Sequence, residues 1–186
     1  PQGVTSICEY ILCACKALES VTVPYGVNKI GTFAFANWSS LKKVDIPDGV
    51  IDIGEHAFSW CSSLERVTMP ESVTSIGASA FSVCSSLDEV IIPSGVTNIN
   101  ETAFSACASL KSIVIPKGVT SIGDRAFLSC TSLADITIPE SVITIGIDAF
   151  GDTAYYSNTD NWQDGVLYID KALIGIESYT FNKTNE

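Results

Sequence analysis

Leu64-Glu65-Arg66-Val67-Thr68-Met69-Pro70, followed by Val73, Ile76-Gly77, Ala80-Phe81 and Cys84, is one unit of a pattern that fills most of the chain. Outward from Pro70, every proline of the sequence falls in register: Pro1, Pro24, Pro47, Pro70, Pro93, Pro116 and Pro139 stand 23 residues apart, and there are no others. Counting from proline as position 1, position 4 is Val in all seven occurrences (Val4 to Val142) and position 7 is Ile in all seven (Ile7 to Ile145). Positions 11 and 12 are Ala and Phe from Ala34-Phe35 to Ala149-Phe150, the first unit departing with Ile11-Leu12, and position 18 is Leu from Leu41 to Leu133. A fixed period of this length marks an architecture of stacked coils. One such unit cannot bury its apolar side alone, whereas neighbours in register place like residue over like and make a continuous core.

Each part of the unit has a task. The alternation at positions 21 to 23, as in Val44-Asp45-Ile46 and Val67-Thr68-Met69, is the period-2 signature of a half-buried strand with its odd members inward. Proline next in line has no N–H and a fixed φ, so it ends the strand at the same point of every coil. Glycine at position 3 or 8, as in Gly49 and Gly54, suits tight bends or positive φ. Asp124-Arg125-Ala126-Phe127 reads as a single helical turn, too short to be stable by itself.

The unit quoted first resembles the BspA-like leucine-rich repeats, and the likeness runs through residues 1–152. It implies a leucine-rich-repeat solenoid, mainly β with short helical turns, its 23-residue coils stacked in a right-handed sense. It also implies a secreted or cell-surface protein whose repeat array serves adhesion and binding of host proteins. Residues 153–186, with Tyr155-Tyr156, Asn161-Trp162 and Gly165 to Ile176, read as a divergent terminal repeat or a β-hairpin cap around Asp170-Lys171. The chain starts at Pro1, inside the pattern and without an initiator Met, as a fragment of a longer chain would.

Composition narrows the function classes. A hydrophobic share of 46% with 17% charged residues fits a folded body rather than a disordered chain. No apolar run reaches the roughly 18 residues of a membrane span, so no membrane insertion is expected of this segment. The formal net charge is −11, and residues 140–186 carry 8 acids against 2 bases. Nucleic acid and anionic membrane surfaces both ask for clustered Lys and Arg and are disfavoured as partners. The acidity is read as a contribution to solubility.

Chemistry finds little to work with, and no catalytic, cofactor or metal set is expected. Of the seven cysteines, Cys15, Cys61, Cys84, Cys107 and Cys130 share position 15, with Trp38 in the one gap. One thiol per coil lacks the close ligand pairs of a zinc site and reads as a buried ladder. Disulfides between adjacent rungs remain open on spacing alone. Cys8 and Cys13 lie out of phase beside Cys15 and are expected to pack rather than to bind metal or oxidise. His56, the single histidine, stands at position 10 on the outward side of the turn without evident partners, and nothing converges with it as a catalytic set would. Asn158 to Gly165 is rich in Asn and Asp, but Trp162 and Lys171 occupy ligand places of a calcium loop counted from Asp160, so the stretch reads as a loop. Sequons at Asn37-Trp38-Ser39, Asn100-Glu101-Thr102 and Asn182-Lys183-Thr184 matter only in a glycosylating host.

Constant positions build a fold, so recognition must lie where units differ. Positions 19, 20 and 22 flank the inward strand residues and should project from the sheet face. Position 22 runs Thr22, Asp45, Thr68, Ile91, Val114, Thr137, which sets Ile91 beside Val114 as an exposed apolar pair. Lys42, Lys43, Glu65, Arg66, Asp88, Glu89 and Lys111 surround the pair, giving an apolar centre with a mixed-charge rim. The expected role is surface recognition of a protein or glycan, the alternative being a structural spacer that displays another domain. The oligomeric state is left open.

Overall fold

The computed structural model describes residues 3–163, 166–169 and 172–176. Residues 3–152 form a solenoid in which each 23-residue unit is one coil, and two parallel strand ladders run along it. The first is built from the alternating triplets. Ser20–Thr22, Lys43–Asp45 and Arg66–Thr68 pair in register, as do Ser112–Val114 and Asp135–Thr137. In each triplet the middle residue turns inward and its two neighbours outward. The second ladder uses positions 6 and 7, as in Lys29–Ile30, Asp52–Ile53 and Ser75–Ile76, which stack Ile on Ile.

Between the ladders lies a core of repeated rungs. Phe35, Phe58, Phe81, Phe104, Phe127 and Phe150 are buried and form one column of parallel rings with centroids 5.2–5.5 Å apart. The first unit has Leu12 in that column, and its shortfall in volume is met from the next coil: Trp38 is buried, packs edge-on to Phe35 at 5.4 Å and donates its indole N–H to the Leu12 carbonyl.

The expected helical turn is not one. Among the described residues fourteen non-glycine residues have positive φ, and all stand at position 10 (Tyr10, Phe33, His56, Ser79, Thr102, Arg125, Asp148) or position 14 (Ala14, Asn37, Trp60, Val83, Ala106, Ser129, Asp152). Left-handed backbone costs an L-residue about 1–2 kcal/mol, and here neighbours enforce it. With the chain twisted this way, the N–H groups at positions 10, 12 and 14 donate to carbonyls 9, 11 and 13 of the following coil. His56 to Ala78, Phe58 to Ala80 and Trp60 to Ser82 are one such set, at 2.8–3.0 Å. The N–H groups at positions 11, 13 and 15 donate three residues back within the coil, as Ala57 to Gly54, Ser59 to His56 and Cys61 to Phe58 at 3.1–3.3 Å, so the segment is a chain of tight turns bonded alternately to itself and to the next coil. We call this third ladder the back edge.

Glycine also divides differently from expectation. At position 3, Gly26 and Gly49 have φ of +96°, a bend that suits glycine. At position 8 the reason is proximity: a Cβ on Gly54 would stand 2.8 Å from the backbone of Gly31, Ile30 and Thr32 in the preceding coil.

Beyond the array, Thr153 caps a short helix, Ala154–Ser157, by accepting from the Tyr156 N–H. A 3-10 turn, Thr159–Asn161, and three antiparallel strands follow: Trp162–Gln163, Val166–Ile169 and Ala172–Ile176. The stretch from Asn158 is therefore not a plain loop. The Asn158 side chain caps the 3-10 turn, and the Trp162 and Asn161 side chains donate back to the Tyr156 and Tyr155 carbonyls. Asp170, Lys171 and the Asn182 sequon lie outside the described residues.

Candidate functional site

Strand alternation decides which side chains reach solvent on the first ladder. Lys42, Lys43, Asp45, Glu65, Arg66, Asp88, Glu89, Ile91, Lys111 and Val114 are all exposed, while Val44, Val67, Val90 and Ile113 between them are buried. The face divides into two parts. Toward the N-terminal end the charges pair along and across coils: Lys43 with Asp45 at 2.9 Å, Lys42 with Glu19 at 3.0 Å, and Arg66 with Glu89 at 3.8 Å. The Lys43 ammonium holds the Asp45 carboxyl below its ordinary range. Such exposed pairs add little to stability, typically ~0.2–1 kcal/mol, so their value lies in the pattern they present.

Further along, Ile91 and Val114 are 69% and 67% exposed, the apolar centre of the face. They stand at a fault in the fold. Residues 89–91 form no strand, keeping only a single bridge from Glu89 to Arg66, and neither ladder is paired between residues 70–92 and the coil that follows. The back edge holds the same junction closed, with Ser79, Phe81 and Val83 donating to Glu101, Ala103 and Ser105. The two coils are thus joined at the spine and parted at the face. The resulting groove of about 400 Å³ has Ile91 and Val114 in its lining together with Glu71, Glu89, Ser94, Ser112 and Pro116. Glu71 is fixed at the rim, its carboxylate accepting from the Ser94 hydroxyl at 2.7 Å and amide at 3.1 Å, which lowers its proton affinity.

Position 8 also differs at this junction. Its glycine donates its N–H to the position-7 carbonyl of the preceding coil, as Gly77 does to Ile53 and Gly123 to Ile99. Asn100 replaces that glycine at the parted junction. Asn100 carries a Cβ at a position where glycine elsewhere allows close backbone approach, and its side-chain amide donates to the Ile76 carbonyl at 2.6 Å in place of the main-chain bond. The sequence reading missed Asn100, Glu71, Ser94, Ser112 and Pro116. The available signal was Asn100 interrupting the glycine column.

The other expectations fare unevenly. Cys61, Cys84, Cys107 and Cys130 are buried free thiols, and each donates its S–H to a carbonyl of the phenylalanine column one coil back, at 3.1–3.3 Å. Burial pushes the Cys61 thiol up to about 12 and the Cys84 thiol well above its ordinary value, while Cys107 is raised by the adjacent Cys130 thiol and by burial. Cys8 and Cys13, expected to pack, are exposed, because the divergent first coil covers little of its own surface. His56 is not isolated. Its ring stacks between Phe33 at 4.4 Å and Trp60 at 5.8 Å, its Nε2 lies 3.6 Å from Glu55, and its buried Nδ1 has no hydrogen-bond partner among the described residues. Among the described residues no three His, Cys, Asp or Glu side chains converge as a metal site would require, and no helix is long and apolar enough to cross a membrane.

A solenoid of 23-residue coils with a parallel strand face and a phenylalanine column is a leucine-rich-repeat architecture. A family model for the BspA type leucine rich repeat region matches in six copies over residues 1–110 and 53–185, and the chain belongs to that family. A leucine-rich-repeat protein of T. pallidum is 34% identical, with a TM-score of 0.79 over 84% of this chain and 73% of that one. A leucine-rich cell-surface protein of Faecalibacterium prausnitzii is 34% identical, with a TM-score of 0.64 over 85% of this chain. A leucine-rich-repeat protein of Bacteroides ovatus is 32% identical, with a TM-score of 0.64 over 81%. The chain spans 51% and 45% of the length of these last two. No curated protein matches the chain.

Proposed function

We propose that the array is a non-enzymatic recognition module, extracellular or at a cell surface, that binds a protein or glycan through its strand face. The observation carrying this reading is the sharp division of the first ladder. Positions that build the coil are constant and buried, whereas the outward columns differ from coil to coil and culminate in an exposed Ile91–Val114 pair within a charged rim. Support for the location comes from family membership and from the F. prausnitzii relative, described as a cell-surface protein.

The test is a binding screen of the folded array against extracellular matrix proteins and a glycan array, repeated with Ile91→Ser/Val114→Ser and with Lys42→Glu/Arg66→Glu. Saturable binding weakened at least tenfold by either pair supports the reading. Binding that neither pair alters, or no saturable binding to any probe, defeats it and leaves the array as a spacer.

A further inference from the structure

We infer that the parted junction is a docking groove for an extended peptide segment presenting one apolar side chain next to a Lys or Arg, and that Asn100 is the wedge that holds it open. This rests on the strand face being a recognition surface and narrows the partner to protein. Three independent features point to this occupant. Apolar surface is offered by Ile91 and Val114, two-thirds exposed and side by side. The charges lining the groove are the carboxylates of Glu71 and Glu89, with no Lys or Arg among the lining residues. Backbone is also available: among the described residues Ile91 and Ile92, at the place of the first ladder, make no main-chain hydrogen bond to a neighbouring coil. Unpaired extended backbone beside an apolar pocket is the arrangement that accepts an added strand, main-chain bonds giving affinity and the pocket giving selectivity. At about 400 Å³ the groove is at the small end of ligand sites and has room for one large side chain rather than a folded surface.

The wedge distinguishes this site from a fortuitous gap. Glycine at position 8 lets the coils touch, as at Gly77, where any Cβ would lie 2.5–2.8 Å from the backbone of Gly54 and Glu55. Asn100→Gly should therefore let the two ladders close across residues 70–115 and remove the groove without disturbing the core. Asn100→Ala keeps the Cβ and should keep the groove.

The experiment is selection of a random dodecapeptide display library on the folded protein in ~150 mM salt, where charges beyond about 8 Å are screened, followed by affinity measurement of the enriched peptides. The expected result is enrichment of an apolar residue flanked by Lys or Arg. Binding should fall at least tenfold with Glu71→Gln/Glu89→Gln, with Ile91→Ser and with Asn100→Gly, but stay within threefold for Asn100→Ala. Amide exchange at Ile92 and Asn98 should slow in Asn100→Gly, showing that the loss comes from closure and not from unfolding. Enriched peptides of acidic character, or peptides that bind Asn100→Gly as they bind the unaltered protein, overturn the groove. Peptides lost with Lys42→Glu/Arg66→Glu but indifferent to Ile91 and Asn100 also overturn it while sparing the broader recognition reading. No enrichment at all counts against both.

Discussion

Replacing Gly77 with Ala puts the stacking argument to a quantitative test. The added methyl would stand 2.5 Å from the Glu55 nitrogen, 2.7 Å from the Gly54 carbonyl carbon and 2.8 Å from the Glu55 Cα, against the 3.4 Å at which ordinary contact begins. All three neighbours are backbone, so no side chain can swing aside and the coils must part by most of an ångström. Overpacking of this kind costs about 1–3 kcal/mol. Parting also strains the bonds at this rung, Gly77 N–H to Ile53 and Ser75 N–H to Ile51, each worth about 1 kcal/mol net. Together they give an expected loss of about 3 kcal/mol. The matched control is Gly49→Ala, where φ is +96° and nothing lies within 4 Å of the added atom, so that only backbone strain of about 1–2 kcal/mol operates. Urea denaturation ranks the two variants. Because repeat arrays can open coil by coil, amide exchange at Ser75 and residue 77 localises the damage. If Gly77→Ala loses no more than Gly49→Ala, close approach is not what holds glycine at position 8, and the account of Asn100 falls with it.

Three further outcomes follow from the core and the back edge. With the folded protein near pH 8, iodoacetamide should modify Cys8 and Cys13, which are exposed, and spare the four buried thiols, whereas denatured protein takes up seven adducts by mass; labelling of Cys84 or Cys107 in the folded state contradicts the burial. The same thiols set an alkaline limit. Below pH 9 both states are protonated, but from 9 toward about 12 the unfolded thiols ionise while Cys61 cannot, so unfolding releases protons and denaturation midpoints should fall across that window. His56→Phe keeps the ring stack with Phe33 and removes a buried Nδ1 that has no partner. A gain of about 1 kcal/mol is expected from relieving an unsatisfied group, and a loss of that size would show that the imidazole nitrogen has a role.

What could be read from sequence follows from how much each residue's task depends on its own chemistry. The proline period, the inward Val44 and Ile113, the phenylalanine column and the buried Cys61 to Cys130 rungs are legible because burial selects residue type and a repeat displays that selection many times over. The back edge was not legible. Thr102, Val83, Arg125 and Asp148 have nothing in common chemically, and a β-branched Val83 at φ +61° violates local preference outright. Ladder bonds to the next coil impose the conformation, and propensity has no part in it. The face was legible as columns, but its groove was not, because that depends on which coils pair and which do not along the two ladders. Asn100 in the glycine column marks the place in the sequence, but the loss of pairing there is a property of the stacked coils.

The back edge also gives the molecule an electrical direction. From Phe33 to Ser129 the peptide groups before positions 10, 12 and 14 turn their N–H toward the C-terminal end, donating to carbonyls 9, 11 and 13 of the next coil. Dipoles of ~3.5 D each, laid head to tail in three parallel files, sum as they do in a helix and leave a positive pole at the end where the amides point. Asp148 and Asp152 occupy positions 10 and 14 of the last 23-residue unit, at that pole, within a segment where acids outnumber bases 8 to 2. The Asp148 and Asp152 carboxylates thus stand as counter-charge at the end of an aligned spine.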